Sequence, residues 1–198
     1  RCLLVAVMAA LAMPALAQSR AILIGQSAAL TGAAAQLGIQ FQHGAKLALD
    51  RTNARGGING RNVELHTMDD GYEPARCQSN TQALLSEGAV ALFGYIGTPT
   101  SLAALPLATA AKTPFIAPFT GAQALRDPFN RQAFHLRASY YDETARIVNQ
   151  VTEVGMKRVA VFHQNDSYGQ AGLDGVTRAL KAQQLEAVAT GTVERNSV

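Results

Sequence analysis

Ala89-Val90-Ala91-Leu92-Phe93-Gly94-Tyr95-Ile96-Gly97-Thr98-Pro99-Thr100-Ser101 is the stretch on which the fold turns. Its first five residues form a short, wholly apolar run, the pattern of a strand covered on both faces. Two glycines interrupt it, and Thr98-Pro99 then reads as the N-cap and first residue of a helix over 99–111. A covered strand feeding directly into a helix is half of a βαβ unit.

The alternation continues in both directions. Toward the N-terminus, residues 21–26 (AILIGQ) have strand length, and a helix follows over 39–55. Phe41, Ala45, Ala48 and Leu49 recur there at three- and four-residue steps, as one buried face requires. Gly56-Gly57 ends it, since glycine accepts the positive φ that helix C-termini favour. Residues 62–68 read as a strand, and Pro74 opens a helix to Ser86, where its missing N–H costs little. Toward the C-terminus come a strand at 114–117, another at 133–136 that leaves the first unit, and a helix at 141–154. A strand at 158–163 (RVAVFH), a helix at 169–182 and a strand at 186–192 complete the series.

Strands separated by helices of this length pair in parallel through right-handed crossovers, so the fold class is α/β with open parallel sheets flanked by helices. Two units are expected, joined near residues 137–140: 18–137 and 138–198. The second stops after two strands, too few to manage both sheet edges, so it is read as incomplete.

The 198 residues are 48% hydrophobic and 16% charged, enough apolar material for a real core. The net charge of +3 is spread along the chain, with no aromatic-flanked basic tract. No nucleic-acid or membrane-surface partner is therefore expected. Residues 1–17 combine Arg1, the apolar run CLLVAVMAALAMPALA and a small-x-small Ala15-Leu16-Ala17. That is the pattern of a secretory signal peptide cut after Ala17, and it predicts export to the periplasm. Cys2 leaves with it, so Cys77 is expected as a lone, half-buried thiol within the 74–86 helix.

In an open parallel sheet, ligands bind at the carboxyl ends of the strands. Three loops qualify. Thr98 begins a helix whose free N–H groups form a donor-rich cradle for a carboxylate or carbonyl. Pro118-Phe119-Thr120-Gly121 adds a hydroxyl, amides and an aromatic wall. Gln164-Asn165-Asp166-Ser167-Tyr168-Gly169 places Tyr168 before a helix, ready to cover a ligand from the opposite side. The plainer reading, that Thr98 and Thr120 only cap helices and Tyr168 is an exposed loop residue, stands beside it. Asp69-Asp70-Gly71 also ends a strand at this edge, but neighbouring side chains in an extended chain point to opposite faces. A turn-and-cap role is expected there rather than a metal site. The nucleophile elbow, the phosphate loop, the dinucleotide fingerprint and the H-E-x-x-H zinc motif are missing, and the four histidines are scattered singly. Neither catalysis nor a cofactor is expected.

Several blocks follow in a familiar order: Leu30-Thr31-Gly32-Ala33, Asn53-Ala54-Arg55-Gly56-Gly57-Ile58-Asn59-Gly60, Asp69-Asp70, and Gly94 to Thr100. Ala117-Pro118-Phe119-Thr120-Gly121, Arg137-Ala138-Ser139 and Asp166-Ser167-Tyr168-Gly169 come next. In this order the chain, from about Ala21 onward, resembles the branched-chain amino-acid-binding family of type I periplasmic binding proteins. The resemblance implies two α/β lobes that clamp a small molecule between them. It also implies delivery to the permease and ATPase of an ABC importer by a monomeric receptor that leaves the solute unaltered. By position, Thr98 matches the residue that binds the ligand carboxylate, and Phe119, Thr120 and Gly121 match the loop holding carboxylate and amine. Tyr168 matches the second-lobe aromatic, and Leu37 a side-chain contact near the pocket rim. Pro-Phe-Thr-Gly departs from the amino-acid binders' loop, because Gly121 brings no hydroxyl to an amine. The solute class is thus a branched-chain amino acid, an amide or an aromatic acid. A sensory domain of the same fold, or a secreted α/β hydrolase, would be the alternatives.

Overall fold

The computed structural model describes residues 20–197, so the stretch read as a signal peptide lies outside it. The chain begins with β1 (Ile22–Ala28), α1 (Ala35–Asn53), β2 (Val63–Asp69) and α2 (Pro74–Ser86). It continues with β3 (Ala91–Phe93), α3 (Thr98–Ala110), β4 (Phe115–Ile116) and β5 (Ala133–Phe134). Then follow α4 (Tyr140–Glu153), β6 (Val159–Gln164), α5 (Ser167–Ala182) and β7 (Ala187–Val193).

The first five strands form one sheet in the order β2-β1-β3-β4-β5, parallel throughout. β1 and β2 pair along their whole length, from Ile22 opposite Val63 to Ala28 opposite Asp69. β5, at the end of the 18–137 unit, belongs to this sheet. It pairs with β4 as the edge strand, Phe115 opposite Ala133, and the chain departs only after it. β6 and β7 form a second parallel sheet. Because every pair is parallel, the carboxyl ends of the first sheet's strands emerge together along one edge.

The main core fills the space between that sheet and α2 and α3. Cys77, Thr81 and Leu84 line the inner face of α2 at helical spacing. They meet Leu92 of β3, Phe115 of β4 and Tyr95, whose ring packs edge-on against Phe115 at 4.9 Å between centroids. Thr81 keeps its hydroxyl satisfied in this apolar setting by donating to the Cys77 carbonyl (2.7 Å) and lying 3.1 Å from the Tyr95 hydroxyl. Cys77 is fully rather than half buried, and burial pushes its thiol up to about 12. A protonated, enclosed thiol of this kind is a packing group.

α1 differs from its expected amphipathic form. It starts four residues earlier than periodicity suggested, and its fully buried residue is Gly38, whose backbone lies against Ala29 too closely to admit a side chain. Phe41, Ala45 and Leu49 are only half-buried and Ala48 is exposed. Glycine contributes nothing to a hydrophobic pattern, so the closest contact of this helix was invisible to periodicity.

The second sheet has a small core of its own: Val148 of α4 and Ala179 and Leu180 of α5, with Val159 and Ala187 against them. α4 is well defined at its start. Ser139 accepts from the Asp142 N–H while Asp142 reaches back to the Ser139 N–H, a reciprocal capping box.

Candidate functional site

Asp69 organises the sheet edge. Its carboxylate accepts the N–H groups of Leu30 (2.8 Å), Thr31 (3.2 Å) and Gly71 (2.9 Å), the Thr31 hydroxyl (2.7 Å) and Arg76 (3.0 Å). One side chain at the end of β2 thereby holds the loops after both β1 and β2. Burial works to raise its pKa, but these donors outweigh it and hold the carboxyl well below the usual range. Asp70 faces the other way and is fully buried, accepting from the Ser27 hydroxyl (2.7 Å) and the Tyr72 N–H (2.8 Å). Burial, aided by the neighbouring Asp69 charge, raises its pKa. The pair thus builds turns. Among the described residues no group of three or more potential metal ligands forms.

Beyond β3 the chain turns through Gly97, at φ +91° and ψ 164°, into α3. Gly97, not Thr98, is the N-cap, and Thr98 and Pro99 are the first two helical residues. The Thr98 hydroxyl makes no capping bond. It lies 2.6 Å from the Thr120 hydroxyl, joining the loop after β3 to the loop after β4. The Ala122 N–H also donates to Thr120 (3.2 Å), and the Phe119 N–H donates to the Tyr95 carbonyl (2.7 Å). Thr98 and Thr120 are 1% and 0% exposed. In this conformation the two hydroxyls expected to face an open crevice are enclosed and satisfy each other. Two residues 22 apart give no sequence signal of such a meeting.

What encloses them comes from both units. Tyr72, after β2, lies against Gly97 so closely that a side chain there would overlap its ring. Gly121 accepts the Tyr140 N–H (2.7 Å), and a Cβ on it would sit 2.7 Å from the Tyr140 ring. Glycine is therefore required at 121 by the close approach of the α4 start. Tyr140 continues the chain of contacts to Tyr168, edge-on at 5.7 Å. Phe119 packs edge-on against Phe41 (5.5 Å) and lies beneath the Arg137 guanidinium, which is 5.2 Å from both the Phe119 and Tyr140 ring centres. The Glu143 carboxylate holds Arg137 in a two-pronged pair at 2.7 and 2.8 Å and pushes its pKa further up.

Thr98, Phe119, Thr120, Gly121 and Tyr168 are therefore brought into one contiguous patch, with Tyr140 as the link. Leu37 stands at its margin, 44% exposed in the first turn of α1 and one turn before Phe41. Tyr168 is exposed, at 43%, on the first turn of α5, whose N-cap Asp166 accepts its N–H at 2.9 Å. Burial, then the neighbouring Tyr140, raises its pKa, so it remains a neutral hydroxyl. Beside Tyr168 lies a cavity of about 540 Å³ lined, apart from Arg137 at the join, by the second unit, Tyr140, Ile147, Phe162, Tyr168, Leu173 and Val176 among them; Thr98, Thr120 and Gly121 do not line it.

Three contributors escaped sequence reasoning: Tyr72, Tyr140 and Arg137. Tyr72 follows the Asp-Asp-Gly turn, and Tyr140 directly follows the Ser139 N-cap. An aromatic at a turn or helix start was the available signal, and it carries little weight until the partner glycine is seen.

The chain matches the profile of a family described as periplasmic binding protein over residues 21–197. An amino acid binding protein of Pseudomonas aeruginosa is 30% identical over 80% of this chain and 42% of its own length. Among solved structures, a possible leucine/isoleucine/valine-binding protein of Rhodopirellula baltica is 38% identical, with TM-score 0.86 over 91% of this chain and 50% of its own. A substrate-binding periplasmic protein of Ralstonia solanacearum is 31% identical, with TM-score 0.83 over 89% and 50%. The chain spans about half the length of these relatives.

Proposed function

The chain belongs to the periplasmic binding protein family, and from that premise we propose that it captures a small solute between two lobes for an ABC importer. In this reading the protein acts in the periplasm and hands the solute unchanged to a permease and ATPase complex. The observation that carries it is a chain of contacts between the units: Thr98 with Thr120, Gly121 with Tyr140, and Tyr140 with Tyr168.

The chemistry of that patch favours a particular kind of solute. The first turn of α3 offers N–H groups without intrahelical partners and the positive end of the helix dipole, which suit a carboxylate or amide oxygen. The Thr98 and Thr120 hydroxyls each act as donor or acceptor, so a solute head group replaces their mutual bond with two of its own. Phe119, Tyr140 and Tyr168 supply an aromatic wall for the body of the solute. A branched-chain amino acid, a small amide or an aromatic acid fits this division. Leu37, exposed at the margin, is the residue a longer side chain would reach.

A thermal-shift screen of the full-length protein over amino acids, amides and aromatic acids tests this. A solute that binds only the folded state must raise the melting temperature. A null result across all three classes sinks the reading. For any solute found, Thr98→Ala is expected to weaken binding about tenfold, the net worth of one good hydrogen bond. Unchanged affinity by calorimetry would remove Thr98 from the site.

A further inference from the structure

We propose that Glu73, Arg195 and Asn196 form a charged latch across the cleft that positions Tyr168 and slows opening. The proposal rests on the reading of that cleft as the solute site.

Glu73 lies in the first unit, in the loop between β2 and α2. Arg195 and Asn196 lie in the second, just after β7. Each oxygen of the Glu73 carboxylate takes one donor from that segment: Arg195 Nη2 to Oε2 at 3.0 Å, and Asn196 Nδ2 to Oε1 at 2.7 Å. Asn196 also donates to the Gly71 carbonyl at 3.1 Å. Its φ of +59° is a conformation asparagine tolerates better than most residues, and it turns the amide back toward the 71–73 loop.

Arg195 faces a second carboxylate. Its Nη1 lies 3.7 Å from Asp166 Oδ2, while Asp166 Oδ1 caps α5 by accepting the Tyr168 and Gly169 N–H groups. Gln164 holds the Oδ2 atom at 2.5 Å. The guanidinium thus joins the first unit's Glu73 to the group that fixes the helix turn carrying Tyr168. Beneath it Tyr72 is only 8% exposed, with burial and the nearby Asp166 charge keeping its phenol protonated. Side-chain exposures of 25% for Arg195 and 9% for Asp166 partly shield that pair from water, while Glu73, at 44%, stays open to salt screening.

These bonds require both units to be close. They favour the closed arrangement over the open one by their whole free energy, which no contact within a single unit does. A solute held in the closed cleft leaves only after they break, so their effect falls on the release rate. Tyr168 is positioned by this group and contacts the solute; Arg195 and Glu73 act through it.

The test uses the full-length protein with spin labels at Gln82→Cys and Thr177→Cys, exposed positions on α2 and α5, leaving the buried Cys77 unlabelled. Inter-label distances are measured for the parent, Glu73→Gln, Arg195→Gln and the double variant, each alone and with L-leucine or benzoate as probe. Each single variant is expected to shift the closed-to-open ratio about threefold to fivefold toward open and to speed probe release by a similar factor. The double variant is expected to fall short of the sum of the singles, because both remove the Arg195–Glu73 bond. High salt should open the parent and move the double variant much less. Unchanged distances and release in the variants, or strictly additive effects in the double, overturn the latch. If neither probe binds the parent yet the variants open it, the latch stands and the proposed solutes fail. If a probe binds and the variants change nothing, the site stands and the latch falls.

Discussion

Among the described residues, ten buried side chains of β3, β4, α2, α3 and their loops pack into one cluster in the first unit, against three in the second. The candidate loops inherit that difference. Gly97, Thr98, Thr120 and Gly121 follow strands anchored in the larger core, so their geometry is fixed by close packing. Tyr168 rides on α5, held by α4, the Asp166 cap and the inter-unit contacts. Among the described residues, one wall of the proposed cleft thus rests on a large core and the other on two helices, a cap and the inter-unit contacts.

The largest effect should come from attacking the template at its tightest point. Gly97→Val forces a β-branched residue into positive φ and into the Tyr72 ring. A loss of about 3 kcal/mol or more by urea unfolding is expected, with solute binding abolished. A stable, binding-competent variant would show that Tyr72 does not pack there. Next in size is a matched pair of core truncations. Leu84→Ala in the larger cluster should cost about 3 kcal/mol and Leu180→Ala in the smaller about 2, since a looser surround relaxes into the cavity. Equal losses would erase the contrast between the units.

The smallest and most pointed comparison sets Asp69 against Asp70. At neutral pH, Asp69→Asn should cost about 2 kcal/mol by releasing charge-assisted bonds to two loops. Asp69 has a depressed folded pKa, so its contribution is present above the unfolded value of about 4 and is lost as pH falls toward the folded one. The gap between parent and Asp69→Asn must narrow in acid. Asp70 has a raised folded pKa, so its contribution is fully present below about 4 and is lost as pH rises through the folded value. Asp70→Asn should thus be nearly neutral, or stabilising, at pH 7. Identical pH profiles for the two variants would contradict the assigned environments.

Much of this fold was legible from the chain alone. AVALF followed by GYIGTPTS placed β3, the candidate loop and α3 correctly, because apolar runs, glycine breaks and Thr-Pro starts are local signals. Pro74 and Ser86 bound α2 as read. The errors have physical causes. Thr98 looked like a cap because Gly97 does the work with a backbone conformation rather than a side chain. α1 looked better buried than it is because its closest approach is made by the backbone of Gly38, which no hydrophobic pattern marks.

The sequence by itself determined the order and type of the elements, the parallel α/β class and the loops at the working edge, since each depends on residues near one another in the chain. Only the tertiary structure decided that Thr98 faces Thr120, that Gly121 yields to Tyr140, and that Glu73 meets Arg195 across 122 positions. Such pairings are set by how the sheets and helices pack, and a one-dimensional pattern holds no distance between its ends.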